Sequence, residues 1–270
     1  MNSTIGILGV GKMGEALAAG LIAAKKGYKI IGTTRSQATA AEIKKRLGIE
    51  CTTDNRDLVK KAKVLILCVK PNDARPVLES LAPQLTKDHL IISTCASIQT
   101  EALSKWARQK TPVIRAMPNT PCLIREGMTI LVAGASAKAS HLEHAEKIFN
   151  TIGRTTVIDE TLMDGATGLS GCGPAYVYLI IEALSEAGVK VGLSRDLATQ
   201  LAAQTLMGAA KMVLERGVHP AALKDEVTTP AGCTIDGLMA LEEGKIRVTL
   251  IKAVLAATKR SEKLRKNARK

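Results

Sequence analysis

Aromatic residues are scarce here: a chain of 270 residues carries one Trp, one Phe and three Tyr. Stacking platforms for single-stranded nucleic acid are not expected from so few rings, and core packing falls to aliphatic side chains and alanine. Cysteine occurs six times, at positions 51, 68, 95, 122, 172 and 233, yet no two form a CxxC pair. No His/Cys cluster has metal-ligand spacing, so no metal is expected. Several cysteines sit in apolar runs such as Leu65-Ile66-Leu67-Cys68-Val69, the setting of small buried residues in a reducing compartment. No stretch reaches the roughly 18 uninterrupted apolar residues of a membrane span. The start, MNSTIGILGVGKMG, has no cationic segment ahead of its apolar run and is not read as a signal peptide. A cytoplasmic location without membrane contact is the expectation. No catalytic triad and no pair of catalytic carboxylates stands out. The four histidines, 89, 141, 144 and 219, fall on predicted helix faces or element ends and are expected to face solvent.

What is present is an apolar content of 46% and a net charge of +13. The first suffices for one large domain or two smaller ones. The second suits an anionic cofactor and a carboxylate substrate. Nucleic acid is not expected, because no binding motif accompanies the charge. The one dense basic run, Lys259 to Lys270, reads as a solvated helix end.

Thr4 to Gly9 reads as a buried strand, Glu15 to Lys26 as an alanine-rich helix, and Tyr28 to Thr34 as a second strand. Between the first two lies Gly9-Val10-Gly11-Lys12-Met13-Gly14, which is G-x-G-x-x-G. At a strand-to-helix junction inside a βαβ unit this pattern signals a dinucleotide site. The first glycine permits the tight turn, the second admits a pyrophosphate, and the third lets helix and strand pack closely. The end of the second strand reads Thr33-Thr34-Arg35-Ser36, without the acid that accepts ribose hydroxyls in NAD-preferring folds. Thr34, Arg35 and Ser36 offer a cation and hydroxyls for a 2′-phosphate instead, so the cofactor is expected to be NADPH, with NADH as the alternative.

Strands and helices keep alternating to Ile158, which implies an α/β, Rossmann-type domain with a mostly parallel sheet over residues 1–160. Asp54 is expected to cap a short helix ending at Ala62. The loops Val69–Pro71, Thr94–Ser97 and Met117–Pro121 fall at the carboxyl ends of strands, where such sheets bind ligands. In the last, two prolines bracket Asn119 and Thr120, which predicts a rigid loop without regular structure and makes Asn119 a candidate substrate contact.

Beyond residue 160 strand-like runs stop, and residues 161–270 read as an all-helical domain. Pro174 to Val189 is apolar on nearly all sides and should be buried. In so small a domain that implies burial against another subunit, hence an obligate homodimer with interlocking helical domains. Ser194 should cap a helix from Arg195 to Arg216, with further helices at Pro220 to Asp225 and from Ile246 to about Lys266. Val227, Thr228 and Thr229 can be extended, with Ala231, Gly232 and Cys233 forming a tight loop after Pro230. Thr234 is then expected to cap a helix with Ile235, Leu238, Met239 and Leu241 on its apolar face. Small residues feeding a helix N-terminus gather N–H groups into a nest for an anion, here read as a substrate carboxylate. The missing acid–base apparatus is consistent with hydride transfer, in which positioning does most of the work.

With GVGKMGEA, CVKP, RAMPNTP, GLSGCGPAYVYL and VTTPAGCTIDGLMALE in this order, the chain resembles the pyrroline-5-carboxylate reductase family from about Thr4 to Arg260. The resemblance implies reduction of the ring C=N bond of 1-pyrroline-5-carboxylate to L-proline, the last step of proline biosynthesis, with NADPH or NADH. It implies a Rossmann domain, a helical dimerisation domain, active sites where subunits meet, and a homodimer or higher oligomer. By position, Gly9, Val10, Gly11, Lys12, Met13, Gly14, Thr34, Arg35, Ser36, Asn55, Val69, Lys70, Pro71, Cys95 and Ala96 would line the cofactor. Thr229, Ala231, Gly232, Cys233 and Thr234 would hold the substrate, with the Thr234 hydroxyl near the ring nitrogen as the catalytic group. Ala231 and Ser97 replace usual glycines and Cys172 a usual serine, while Cys233 stands where a small residue or Thr is common. A β-hydroxyacid dehydrogenase, which shares the glycines at 168, 171 and 173, would need its catalytic lysine where this chain has Val177. A nucleotide sensor without turnover would not need the VTTPAGCT loop.

Overall fold

The computed structural model describes residues 4–108 and 110–268. They form two compact units, one running to Gly171 and resuming at Ala257, the other from Cys172 to Ala256.

The first unit runs β1 (Thr4–Leu8), α1 (Lys12–Ala23), β2 (Lys29–Thr33), α2 (Gln37–Leu47), β3 (Glu50–Thr52), α3 (Asn55–Lys61), β4 (Val64–Leu67), α4 (Pro71–Leu81), β5 (Leu90–Ser93), α5 (Thr100–Trp106), β6 (Val113–Pro118), β7 (Gly127–Ala133), α6 (Ala139–Phe149), β8 (Gly153–Val157) and α7 (Met163–Ala166). The strands make one sheet in the order β3-β2-β1-β4-β5-β6-β7-β8. Every neighbouring pair is parallel except β6 and β7. The central strands are apolar throughout because both faces are covered, and alternate residues feed opposite layers. Ile5, Ile7, Ile66 and Ile92 pack on one face with Leu17, Leu21, Ile148 and Phe149. Leu8, Leu65, Leu67 and Ile91 pack on the other with Leu78 and Leu103.

Several local expectations are corrected. α1 begins at Lys12, directly after the glycine loop, and not at Glu15. β3 and α5 were not foreseen: one is a three-residue strand, the other a seven-residue helix without a long apolar stripe. The Met117–Pro121 segment is regular after all. Met117 and Pro118 end β6, paired with Ile130 and Thr129, and Thr120–Ile124 form a 3-10 helix. His89 is not solvent-facing but 4% exposed. Its Nδ1 accepts the Thr86 N–H at 3.1 Å, while Nε2 donates to the Val59 carbonyl at 3.2 Å.

The first unit also reaches past residue 160, for an electrostatic reason. Arg115, in the middle of β6 and 1% exposed, meets Glu160 at 3.4 Å. Glu160 accepts both the Thr100 N–H at 2.9 Å and the Thr100 hydroxyl at 2.6 Å. Burial pulls the Arg115 guanidinium below its usual value, and Glu160 opposes the shift. Next to this pair, buried Asp164 accepts the Ser261 hydroxyl at 2.7 Å and Arg265 Nε at 2.6 Å. Buried charges persist only when paired in this way, so α7 and the chain's final turns are held in the first unit.

The second unit consists of α8 (Gly173–Lys190), α9 (Arg195–Arg216), α10 (Pro220–Glu226), α11 (Cys233–Glu243) and the start of α12 (Ile246–Ala268). Ser194 caps α9 by accepting the Leu197 N–H. α8 and α9 approach closely where Gly188 faces Ala198: a Cβ on the glycine would lie 2.7 Å from the alanine Cβ. The basic run ends α12 as a helix through Ala268, and its last two residues lie outside the described ones.

Candidate functional site

The carboxyl ends of β1, β2, β4 and β5 lie side by side, and the strand order reverses between β1 and β4. A crevice at such a switch point is where open α/β sheets bind ligands. At the end of β1, Gly9 adopts φ +90, and a side chain there would press against Val69 and the Cys68 backbone. The turn is fixed by β2: Thr33 Oγ1 accepts the Gly9 N–H at 3.2 Å and the Thr33 carbonyl accepts the Val10 N–H at 2.8 Å. Gly14 packs so closely that a Cβ would sit 2.7 Å from the Gly9 carbonyl oxygen, whereas one on Gly11 would meet nothing within 4 Å. Gly11 caps α1 without a side chain. The N–H groups of Lys12, Met13 and Gly14 therefore have no carbonyl one turn back, and the space beside exposed Gly11 is open. That arrangement fits a pyrophosphate.

The three residues after β2 are engaged but accessible. The Thr34 hydroxyl donates to the Ser36 carbonyl at 3.1 Å. Ser36 caps α2 by accepting the Thr39 N–H at 3.2 Å. Arg35, with its side chain 76% exposed, pairs with Asp73 in the first turn of α4. Asp73 escaped the sequence reading because nothing local links it to a residue 38 positions away. Asn55 opens α3, whose cap is Asp54.

At the next two strand ends, Val69, Lys70 and Pro71 lead into α4, with Pro71 at its first position. Cys95 follows β5 and donates its thiol to the Val69 carbonyl at 3.3 Å, tying the two loops together. Burial pushes its thiol up to about 11, and that of Cys68 up to about 12. Both stay protonated at neutral pH and offer no thiolate chemistry. Ala96 lies half-buried beside Cys95. Asn119 is already occupied. Its Oδ1 accepts the Met128 N–H at 2.9 Å and its Nδ2 donates to the Ser170 carbonyl at 3.2 Å. Its amide secures the scaffold and leaves only one N–H for any ligand.

In the second unit the loop before α11 differs from its expected form. Val227, at φ −99 and ψ 5, closes α10 and does not start an extended run. Ala231 takes φ +56, a left-handed conformation that costs a residue with a Cβ about 1 kcal/mol. Gly232 is the cap of α11, so Thr234 is the second helical residue and not the cap. The positive φ at Ala231 turns the chain two residues earlier than the Ser/Thr capping preference suggests. The Gly232 N–H is turned inward and donates to the Thr229 carbonyl at 3.1 Å. A Cβ on Gly232 would fall 2.4 Å from Thr229 Oγ1, so the loop closes tightly on that threonine. Helix geometry leaves the N–H groups of Cys233, Thr234 and Ile235 without a carbonyl one turn back. Cys233 is exposed and Thr234 half-buried. Three donors are thus left open at the start of α11, and Gly232 is not among them.

Comparison with known proteins follows the same division. Residues 160–264 match the family model for pyrroline-5-carboxylate reductase dimerisation. Residues 4–97 match that of the NADP oxidoreductase, coenzyme F420-dependent, family. The pyrroline-5-carboxylate reductase of Pisum sativum is 41% identical over 264 residues, covering 97% of this chain and 96% of that protein. The solved pyrroline-5-carboxylate reductase of Coxiella burnetii superposes with a TM-score of 0.92 at 36% identity, covering 98% of this chain and 99% of that one. The Plasmodium falciparum pyrroline carboxylate reductase, solved with NADP bound, gives 0.86 at 35% identity, covering 98% of each. Identity at this level along nearly the full length of both partners makes the chain a member of the pyrroline-5-carboxylate reductase family.

Proposed function

We propose that the protein reduces 1-pyrroline-5-carboxylate to L-proline, the last step of proline biosynthesis, with NADPH as the preferred reductant. When bound, the dinucleotide supplies the hydride. The chain's own residues bind and orient. The open N–H groups at the start of α1 take the pyrophosphate, and Arg35 with Thr34 and Ser36 takes the 2′-phosphate. Asn55, Val69, Lys70, Pro71, Cys95 and Ala96 line the remainder of the groove.

The observation that carries the substrate reading is the bare N-terminus of α11, where three backbone donors stand beside the Thr234 hydroxyl. The donors receive the carboxylate, and Thr229 and Ala231 shape the loop that presents them. The Thr234 hydroxyl hydrogen-bonds the ring nitrogen. Protonation of that nitrogen makes C5 a better hydride acceptor, but an alkanol is a weak acid, so Thr234 orients or relays and water is the final proton source. Thr234→Ala should lower kcat by more than about tenfold, a barrier change on the order of 1.4 kcal/mol; an unchanged kcat removes Thr234 from the mechanism. NADPH consumption with pyrroline-5-carboxylate, and none with β-hydroxyacids, tests the reaction itself. We further assign a homodimer in which the second unit is the principal interface, and a cytoplasmic site of action, supported by six free cysteines.

A further inference from the structure

We infer that Asp73 is a specificity-determining residue that limits the preference for NADPH by competing with the 2′-phosphate for Arg35. This rests on the reading of Arg35 as the phosphate-binding cation. The end of β2 lacks the carboxylate that would accept ribose hydroxyls. The fold supplies one from another element: Asp73, in the first turn of α4, ion-pairs with Arg35 directly after β2. The pair belongs to the groove and not to a remote surface. The Asp73 charge also reaches the buried Cys95 thiol at the end of β5, where, behind burial and against the Ser93 hydrogen bond, it helps to keep the thiol protonated.

The partners are 76% and 40% exposed, so the ion pair contributes little to folding and breaks readily. Its effect is on ligand choice. A 2′-phosphate carries close to two negative charges and needs Arg35, so NADPH must displace a carboxylate and then lie beside it. NADH presents ribose hydroxyls, which a carboxylate accepts while keeping its arginine. One acid thus penalises the phosphorylated cofactor and assists the other, which is discrimination through a repulsive element.

The test is equilibrium binding of NADPH and NADH to the full-length protein without substrate, followed by kcat/KM for each. Asp73→Asn should tighten NADPH, weaken NADH and shift the ratio of their dissociation constants by about tenfold toward NADPH. Asp73→Ala should shift it in the same direction, and Asp73→Glu should restore most of the original ratio. Arg35→Ala serves as the control and should weaken NADPH far more than NADH. If Arg35→Ala behaves so while both Asp73→Asn and Asp73→Ala leave the ratio within twofold, Asp73 has no part in selection and this inference alone falls. If Arg35→Ala leaves NADPH binding unchanged, the phosphate reading and the inference fall together.

Discussion

The two units solve the burial problem in opposite ways. In the first, Phe149, Ile5, Leu17 and Leu65 are fully enclosed, and each core helix turns one face inward. In the second, among the described residues, Ala198 and Ala202 are the only buried apolar side chains. α8, apolar nearly all round, buries only Ser185, while Leu179 is 66% and Tyr178 59% exposed. An isolated soluble domain does not leave so much apolar surface in water. The cover expected for α8 was another subunit, and within one chain the helix stays open. The first unit encloses its own core, whereas the second leaves its apolar faces open, in keeping with the match of residues 160–264 to a dimerisation family.

The largest effect should come from charging the uncovered face. Leu179→Glu would bury an unpaired carboxylate in each protomer, on the order of 4 kcal/mol per copy and twice that per dimer. Sedimentation should show monomers with reduced helix content, and a dimer unchanged at micromolar concentration would break the comparison. Phe149→Ala addresses the other side. It should cost about 3–5 kcal/mol in the first unit through cavity formation. Urea unfolding should show this loss in a transition whose midpoint does not vary with protein concentration, and a midpoint that tracks concentration would erase the distinction.

The smallest effect is a pH dependence confined to the first unit. Burial lowers the basicity of His89 below the ordinary 6.5, despite the Val59 hydrogen bond. The unfolded chain then binds more protons than the folded one just below pH 6.5. Stability should be full above that value and decline as pH falls through the folded-state value, with a slope of less than one proton. His141 and His144 are shifted the same way by burial. His89→Gln should flatten the decline measured by urea midpoints between pH 5 and 7.5.

The alternating strands and helices of the first unit were legible because buried parallel strands are written as unbroken apolar runs, as in Val64-Leu65-Ile66-Leu67. The roles of Gly9, Gly11 and Gly14 were legible because each spacing has a separate steric reason. Short elements were not: Glu50-Cys51-Thr52 is too brief for any periodicity, and its place is set by pairing with β2. Thr234 was misplaced by two positions in α11 because capping preference speaks for Thr, while the backbone at Ala231 decides the turn. Asp73 and the buried pair of Arg115 with Glu160 join distant elements, and no window of sequence shows such partners.

The acid at 164 has a consequence for biosynthesis. Its partners, Ser261 and Arg265, lie 97 and 101 residues further along the chain. Domains generally fold from the N-terminal side as they emerge, yet the anion at Asp164 stays uncompensated until the helical turns that carry residues 261 and 265 have been made. A nascent chain arrested before residue 261 would hold all eight strands of the sheet and still lack its closing latch.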